Sequence, residues 1–237
     1  MPLGPQNDIM NEDPWDPEHF SGVTRLFPLP NVVLFPHVLQ PLHIFEPRYR
    51  AMMAEALAGD RLLAPVLLRP GWEQDATGRP PVHPIACLGR IVAEQLLPDG
   101  RYNLLLRGLS RARLVREVED DKPFRSSAVE LLCDCSDLAV ADMSALRREL
   151  ADEVLPRFAN AGPARQQLEE LFKGELPLPA LCDVLAFALP LPVESKQSLL
   201  EETDVGRRAR LLIESIPLAG VPAPAVARKF PPDFSSN

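Results

Sequence analysis

Two histidines and a glutamate stand close enough in the chain to do chemistry together: His37, His43 and Glu46 all fall within the run LFPHVLQPLHIFEP. An imidazole pair with a carboxylate is the raw material of a general-base or metal site, the rings acting as base or ligand and the carboxylate orienting one of them. No third ligand and no nucleophile accompany them. The same residues suit a turn, a half-buried strand position and a helix start, where a carboxylate is stabilised by free N–H groups and Arg48 or Arg50 is in reach to bridge it. Cys133 and Cys135 alternate along a strand end and offer two thiolates, but no CxxC and no neighbouring His pair completes a tetrahedral set. With Cys87 and Cys182 they make four scattered thiols, too few for a disulfide framework and read as core or surface cysteines. Ser110, Ser126, Ser127 and Ser144 show no spacing that pairs them with a base. Phosphate-loop, dinucleotide, zinc-peptidase and nucleophile-elbow motifs are all missing from the sequence, so an ATPase is excluded and no cofactor or metal is expected. A hydrolase or small-molecule enzyme with a site assembled by tertiary contact around His37, His43 and Glu46 is the alternative reading.

The formal charge of −8 over 237 residues argues against nucleic acid or an anionic membrane as partner, since phosphate binding needs a concentrated basic surface. Part of the acidity lies in residues 1–22, where Asp8, Glu12, Asp13, Asp16 and Glu18 have no Lys or Arg among them. That stretch reads as a disordered acidic tail. It has neither the basic start nor the apolar run of a signal peptide, and nothing elsewhere reaches the roughly 18 uninterrupted apolar residues of a membrane span. A cytoplasmic protein is expected.

The elements that must position these residues are marked by prolines at 28, 30, 36, 41 and 47. They bound a first strand at about 31–35 and a second at about 40–44, since proline cannot donate to a sheet interior. Pro47 suits the first helical position, and Tyr49, Met52, Met53, Ala56 and Leu57 then share one apolar face up to Gly59, a candidate left-handed cap. Residues 61–68, with Pro65 inside, predict an edge or bulged strand, and 69–84 a long loop carrying Trp72 and His83. A hairpin of 85–97 and 101–107 turns at Pro98-Asp99-Gly100, where Gly100 is free to take positive φ. Gly108 marks a bulge or bend before a further strand at 110–118, whose Arg111, Arg113 and Arg116 read as a solvated basic strip. A last strand follows at 124–132. From residue 136 the apolar period changes from two to about 3.6. Leu146, Leu150, Val154 and Phe158 line one helix, 166–172 form a second, 179–189 a buried third, Pro192 opens a fourth and Asp204 caps a fifth. The expected organisation is an N-terminal tail at 1–22, a β lobe at 23–135, a helical lobe at 136–217 and a disordered C-terminal tail at 218–237.

Three motifs in order carry a family resemblance: LFPLPNVVLFPHVLQPLHIFEPRYRAMM, then CLGRIVAEQLLPDGRYNLLLRGLSRARLV, then LPVESKQSLLEETDVGRRARLLIESI. Over residues 23–217 the chain resembles the Lon N-terminal domain, the LON substrate-binding domain, in a stand-alone bacterial form that stops before the ATPase and peptidase domains. The resemblance implies an α+β fold: a PUA-like β-barrel lobe with one packed helix, followed by a small α-helical bundle. It also implies a non-catalytic module for exposed apolar or unfolded polypeptide, with a protease or chaperone as further partner, although such chains are grouped with the Lon peptidases. Leu34, Phe35, His37, Phe45 and Trp72 are the candidate contacts, in a groove between the strands and loop 69–84. Glu46, Pro47, Arg48, Tyr49, Gly100 and Gly108 are the candidate structural anchors. His37 departs from the family pattern, which often has Gly after the Phe-Pro. A scaffold for one fixed partner is a further alternative, and monomer and weak dimer both remain open.

Overall fold

Pro30 and Pro36 bracket the segment that the sequence marks as the first strand, yet this segment is an irregular plug. The computed structural model describes residues 15–75, 78–159 and 161–218. Both expected tails lie largely outside the described residues, which begin at Trp15 and stop at Leu218. The first strand is instead β1 (Val23–Leu29), and between it and β2 (Leu39–Ile44) the chain drops Val33, Leu34 and Phe35 into the core. A close approach explains why this stretch does not run as a strand. A Cβ placed on Gly108 would sit 1.9 Å from the Phe35 carbonyl oxygen, so the backbones touch where only glycine leaves room. His37 N–H donates to the Gly108 carbonyl at 3.0 Å, and Gly108 N–H donates to Val38 at 2.9 Å, pinning the turn at Pro36-His37.

After β2 come α1 (Pro47–Ala58), β3 (Leu62–Leu67), β4 (Ile85–Leu96), β5 (Tyr102–Val118) and β6 (Ser126–Leu132). The sheet order is β2-β5-β4-β3-β1-β6, with β6 pairing β5 as well. Expected as a barrel-like lobe, it is a six-stranded sheet curled until β6 joins β1 on one side and the far half of β5 on the other. Its β3–β4 seam is narrow, registered at Leu62 with Arg90 and Leu63 with Gly89. The two expected strands on either side of Gly108 are one 17-residue strand, β5. Its ladder with β4 shifts register between Leu88 and Gly89, opposite Ser110 and Gly108, which is the bulge the glycine marks. Prolines fall where one side of a strand has no ladder to lose: Pro28 lies past the β1–β6 pairs, Pro65 past the β3–β4 pairs, and Pro41 on edge strand β2.

Helix α1 buries Tyr49, Met52, Met53 and Ala56 as its period requires, but the residue in the left-handed region at its exit is Arg61 (φ 60°), while Gly59 has φ −124°. Five helices follow: α2 (Val140–Val154), α3 (Pro163–Lys173), α4 (Leu178–Ala188), α5 (Val193–Glu201) and α6 (Val205–Ser215). Asp204 caps α6 by accepting from Arg207 N–H at 2.7 Å. One continuous apolar core joins both parts, running from Phe27, Phe35 and Met52 to Leu181, Leu199 and Leu212. A small separate cluster of Leu26, Ala64, Val66 and Ala86 alternates with Phe27, Leu63, Leu67 and Cys87 of the main core and so lies on the opposite face of those strands.

Arg111 does not belong to a solvated strip. It is 2 % exposed and forks onto Asp183 of α4, with Nη2 to Oδ1 at 2.6 Å and Nη1 to Oδ2 at 3.1 Å, while Nε donates to the Leu200 carbonyl at 2.9 Å. Arg208 of α6, wholly buried, reaches the same Asp183 at 3.2 Å and also pairs with Asp134 beyond β6. Arg113 stays at the surface, paired with Glu130, and Arg116 is exposed. Removing the shared carboxylate leaves two buried guanidinium groups with Asp134 alone, so Asp183→Asn should cost about 3–5 kcal/mol. The surface variant Arg113→Gln should stay within about 0.5 kcal/mol. Urea unfolding followed by circular dichroism distinguishes the two.

Candidate functional site

The sheet presents a free edge at β2, and the strand's alternation sorts its side chains. Leu42 and Ile44 point to the core, while Leu39, Pro41, His43 and Phe45 lie on the other face. Leu39 and Phe45 are each 43 % exposed, which for large apolar side chains on one face of an edge strand makes a contact surface. Register extends that face across β5 and β4: Leu39 pairs with Arg107, Pro41 with Leu105 and His43 with Asn103, and these pair in turn with Arg90, Ala93 and Gln95. His43 Nδ1 meets Asn103 Oδ1 at 2.7 Å, and Asn103 Nδ2 donates to Gln95 at 3.3 Å, so a polar row crosses three strands. The Phe45 ring stacks beside His43 with centroids 6.2 Å apart. Leu96, at the end of β4, is 61 % exposed, but its register with Tyr102 and Ile44 puts it on the opposite face.

The edge itself is poorly suited to take another strand. Pro41 has no N–H to offer, and the side-chain amide of Gln40 occupies the Pro41 carbonyl at 2.9 Å. What this region offers a ligand is therefore its face.

The candidate residues from the sequence separate in space. Leu34 and Phe35 are fully enclosed and serve as core. Phe45 and His43 come together on the β2 face. Trp72 is half-buried and opens a short helical turn, Trp72–Asp75. The far end of that loop is held elsewhere, His83 Nδ1 meeting Glu201 of α5 at 3.1 Å. Glu46 begins α1 through its backbone carbonyl, which accepts from Tyr49 and Arg50, while its side chain makes no capping bond and is spanned by Arg48 at 2.9 Å. Arg48 also covers the Tyr49 ring at 4.5 Å, and that ring meets Phe27 edge-on. Gly100 has φ 81° and lies against the Arg50 guanidinium, as a turn glycine should. Among the described residues no three His, Cys, Asp or Glu stand together as a metal set, and no helix is long and apolar enough to cross a membrane. The sequence alone did not single out Leu39, Asn103 and Arg107; their signal was the alternation of β2 and one Asn amid the leucines of β5.

Compared with known proteins, residues 23–216 match the model of the ATP-dependent protease La (LON) substrate-binding domain. The chain belongs to that family. Curated relatives include Lon protease 2 of Myxococcus xanthus, 27 % identical over 83 % of this chain, and the Lon protease of Paraburkholderia phytofirmans, 30 % identical over 81 %. The chain spans about a quarter of the length of these relatives, 24 % of each. Among solved structures, the N-terminal domain of the Mycobacterium avium complex Lon protease superposes with a TM-score of 0.63 at 20 % identity, covering 82 % of this chain and 98 % of that one. The Lon N-terminal domain protein from Xanthomonas campestris gives 0.59 at 25 % identity, with 81 % and 97 % covered. The α+β architecture is thus that of Lon N-terminal domains.

In this LON substrate-binding domain His37 holds φ 67°, the left-handed region that glycine enters without penalty. The turn therefore keeps a glycine-type shape with a histidine in it. His37→Gly should leave the fold intact and shift unfolding free energy by no more than about 1 kcal/mol in either direction, relief of strain opposing the entropy of a freer unfolded chain. A loss well beyond that in a thermal melt would mean that the imidazole makes a stabilising contact. Thiol chemistry is equally divided. Burial pushes Cys182 up to about 12 and raises Cys87 further, whereas Cys133 and Cys135 are exposed. Both buried sulfurs stay protonated and enclosed at pH 8, so alkylation of the native protein should label two of the four cysteines and denaturation should release the rest.

Proposed function

We propose that the chain is a non-catalytic substrate-binding module that takes exposed apolar or unfolded polypeptide segments and passes them to a protease or quality-control partner in the cytoplasm. The observation that carries this reading is the pair Leu39 and Phe45, two large apolar side chains half-open to solvent on the same face of the edge strand. Membership of the LON substrate-binding family supports it. Binding goes through that face, since Pro41 and Gln40 obstruct addition of a strand at the edge. The β lobe, residues 23–135, supplies the contacts, and the helical lobe, 136–217, fixes the curvature of the sheet behind them. No catalytic role is assigned to the two histidines: His43 Nδ1 is held by Asn103, and the Glu46 carboxylate is held by Arg48.

Fluorescence anisotropy with a labelled, permanently unfolded model protein tests the proposal. The double variant Leu39→Ser, Phe45→Ser should bind at least about tenfold more weakly, the scale expected for losing one buried apolar side chain's transfer free energy, with an unchanged circular dichroism spectrum. Undiminished binding by that variant, or none by the native chain, would refute the assignment.

A further inference from the structure

The proposed binding face is apolar and uncharged through most of its length but cationic at one end. Its rows run from Phe45, through His43–Asn103–Gln95 and Pro41–Leu105–Ala93, to Leu39–Arg107–Arg90. Residues paired in register project to the same side of a sheet, so Arg107 stands beside the exposed Leu39. Arg107 is half-buried, yet no hydrogen bond or ion pair holds its guanidinium among the described residues. Its strand neighbour Arg111 is fully engaged by Asp183, and Arg113 by Glu130. The planar fork of Arg107 suits a carboxylate supplied from outside.

Resting on the binding reading above, we infer that this face selects apolar segments flanked by an acidic side chain. The distance along β2 from Leu39 to Phe45 is about 20 Å, which an extended segment of roughly six residues covers. The occupant is an internal stretch of an unfolded chain, its apolar side chains over Pro41, Leu105 and Phe45 and an Asp or Glu on Arg107. Segments flanked by Lys or Arg are disfavoured at that end by charge repulsion.

Three labelled peptides test this, each N-acetylated and C-amidated, with one shared apolar core and Asp, Asn or Lys as the flanking residue. In fluorescence anisotropy at low salt the Asp peptide should bind about fivefold more tightly than the Asn peptide, the scale of one part-exposed charge pair, and the Lys peptide should bind most weakly. High salt should erase the difference. In Arg107→Gln the Asp and Asn peptides should bind alike, while Arg107→Lys should keep part of the preference; circular dichroism confirms that each variant is folded. Equal affinities on the native chain, or an Asp preference that survives in Arg107→Gln, overturns the charge selection and leaves apolar binding standing. Failure of all three peptides to bind removes the underlying reading as well.

Discussion

A carboxylate closed off from solvent holds the two halves of this molecule in place. Asp183, fully buried in α4, lies between Arg111 from β5 and Arg208 from α6, and Asp134 at the end of β6 brings the second negative charge. Two guanidinium groups and two carboxylates leave no net charge inside. The remaining donors go to carbonyls at the junction of α5 and α6, Arg111 to Leu200 and Arg208 to Glu202 and Thr203, groups that a helix end leaves without partners. Such a network tolerates little displacement, because any geometry that separates its members exposes an uncompensated charge to an apolar interior. The bundle therefore meets the curled sheet in one orientation, and the apolar core runs continuously through the junction.

With that junction fixed, the sheet has one face for the core and one for other uses near β2. The inward face takes α1 and the plug of Val33, Leu34 and Phe35, which fits because Gly89 and Gly108 leave no side chain in its way. A Cβ on Gly89 would come within 2.7 Å of the Leu106 side chain and 2.9 Å of Leu34. The outward face of β2, β5 and β4 keeps Leu39, Phe45 and Arg107 in contact with solvent. Backbone proximity at two glycines thus decides which face is packed and which is offered.

Much of this was readable in the chain itself. The hairpin around Gly100, the apolar stripe of α1, the switch to helical periodicity after residue 136 and the cap at Asp204 all follow from local rules, and local rules are what sequence expresses directly. The misread stretches depended on distant partners. Residues 31–35 have the composition of a strand, and only the contact of Phe35 with Gly108 makes them a plug. Arg111 alternates with apolar neighbours just as a surface arginine would, and its partner Asp183 lies in another lobe far along the chain. The proposed binding face was legible only in part, through Phe45 and His43, for a similar reason. His37, His43 and Glu46 attract notice by residue type, whereas Leu39 and Arg107 gain meaning only from their register across β2 and β5.

Under the proposed function, Pro41 and Gln40 at the free edge bear on how an unfolded segment would be held. Unfolded chains with apolar runs are the species that recruit one another into growing cross-β assemblies, and an open, fully hydrogen-bonding edge next to a captured segment would serve as a seed. A surface that grips side chains while withholding its backbone can hold an aggregation-prone segment without templating it. On the proposed reading, the missing N–H of one proline separates recognition of a sticky chain from propagation of its stickiness.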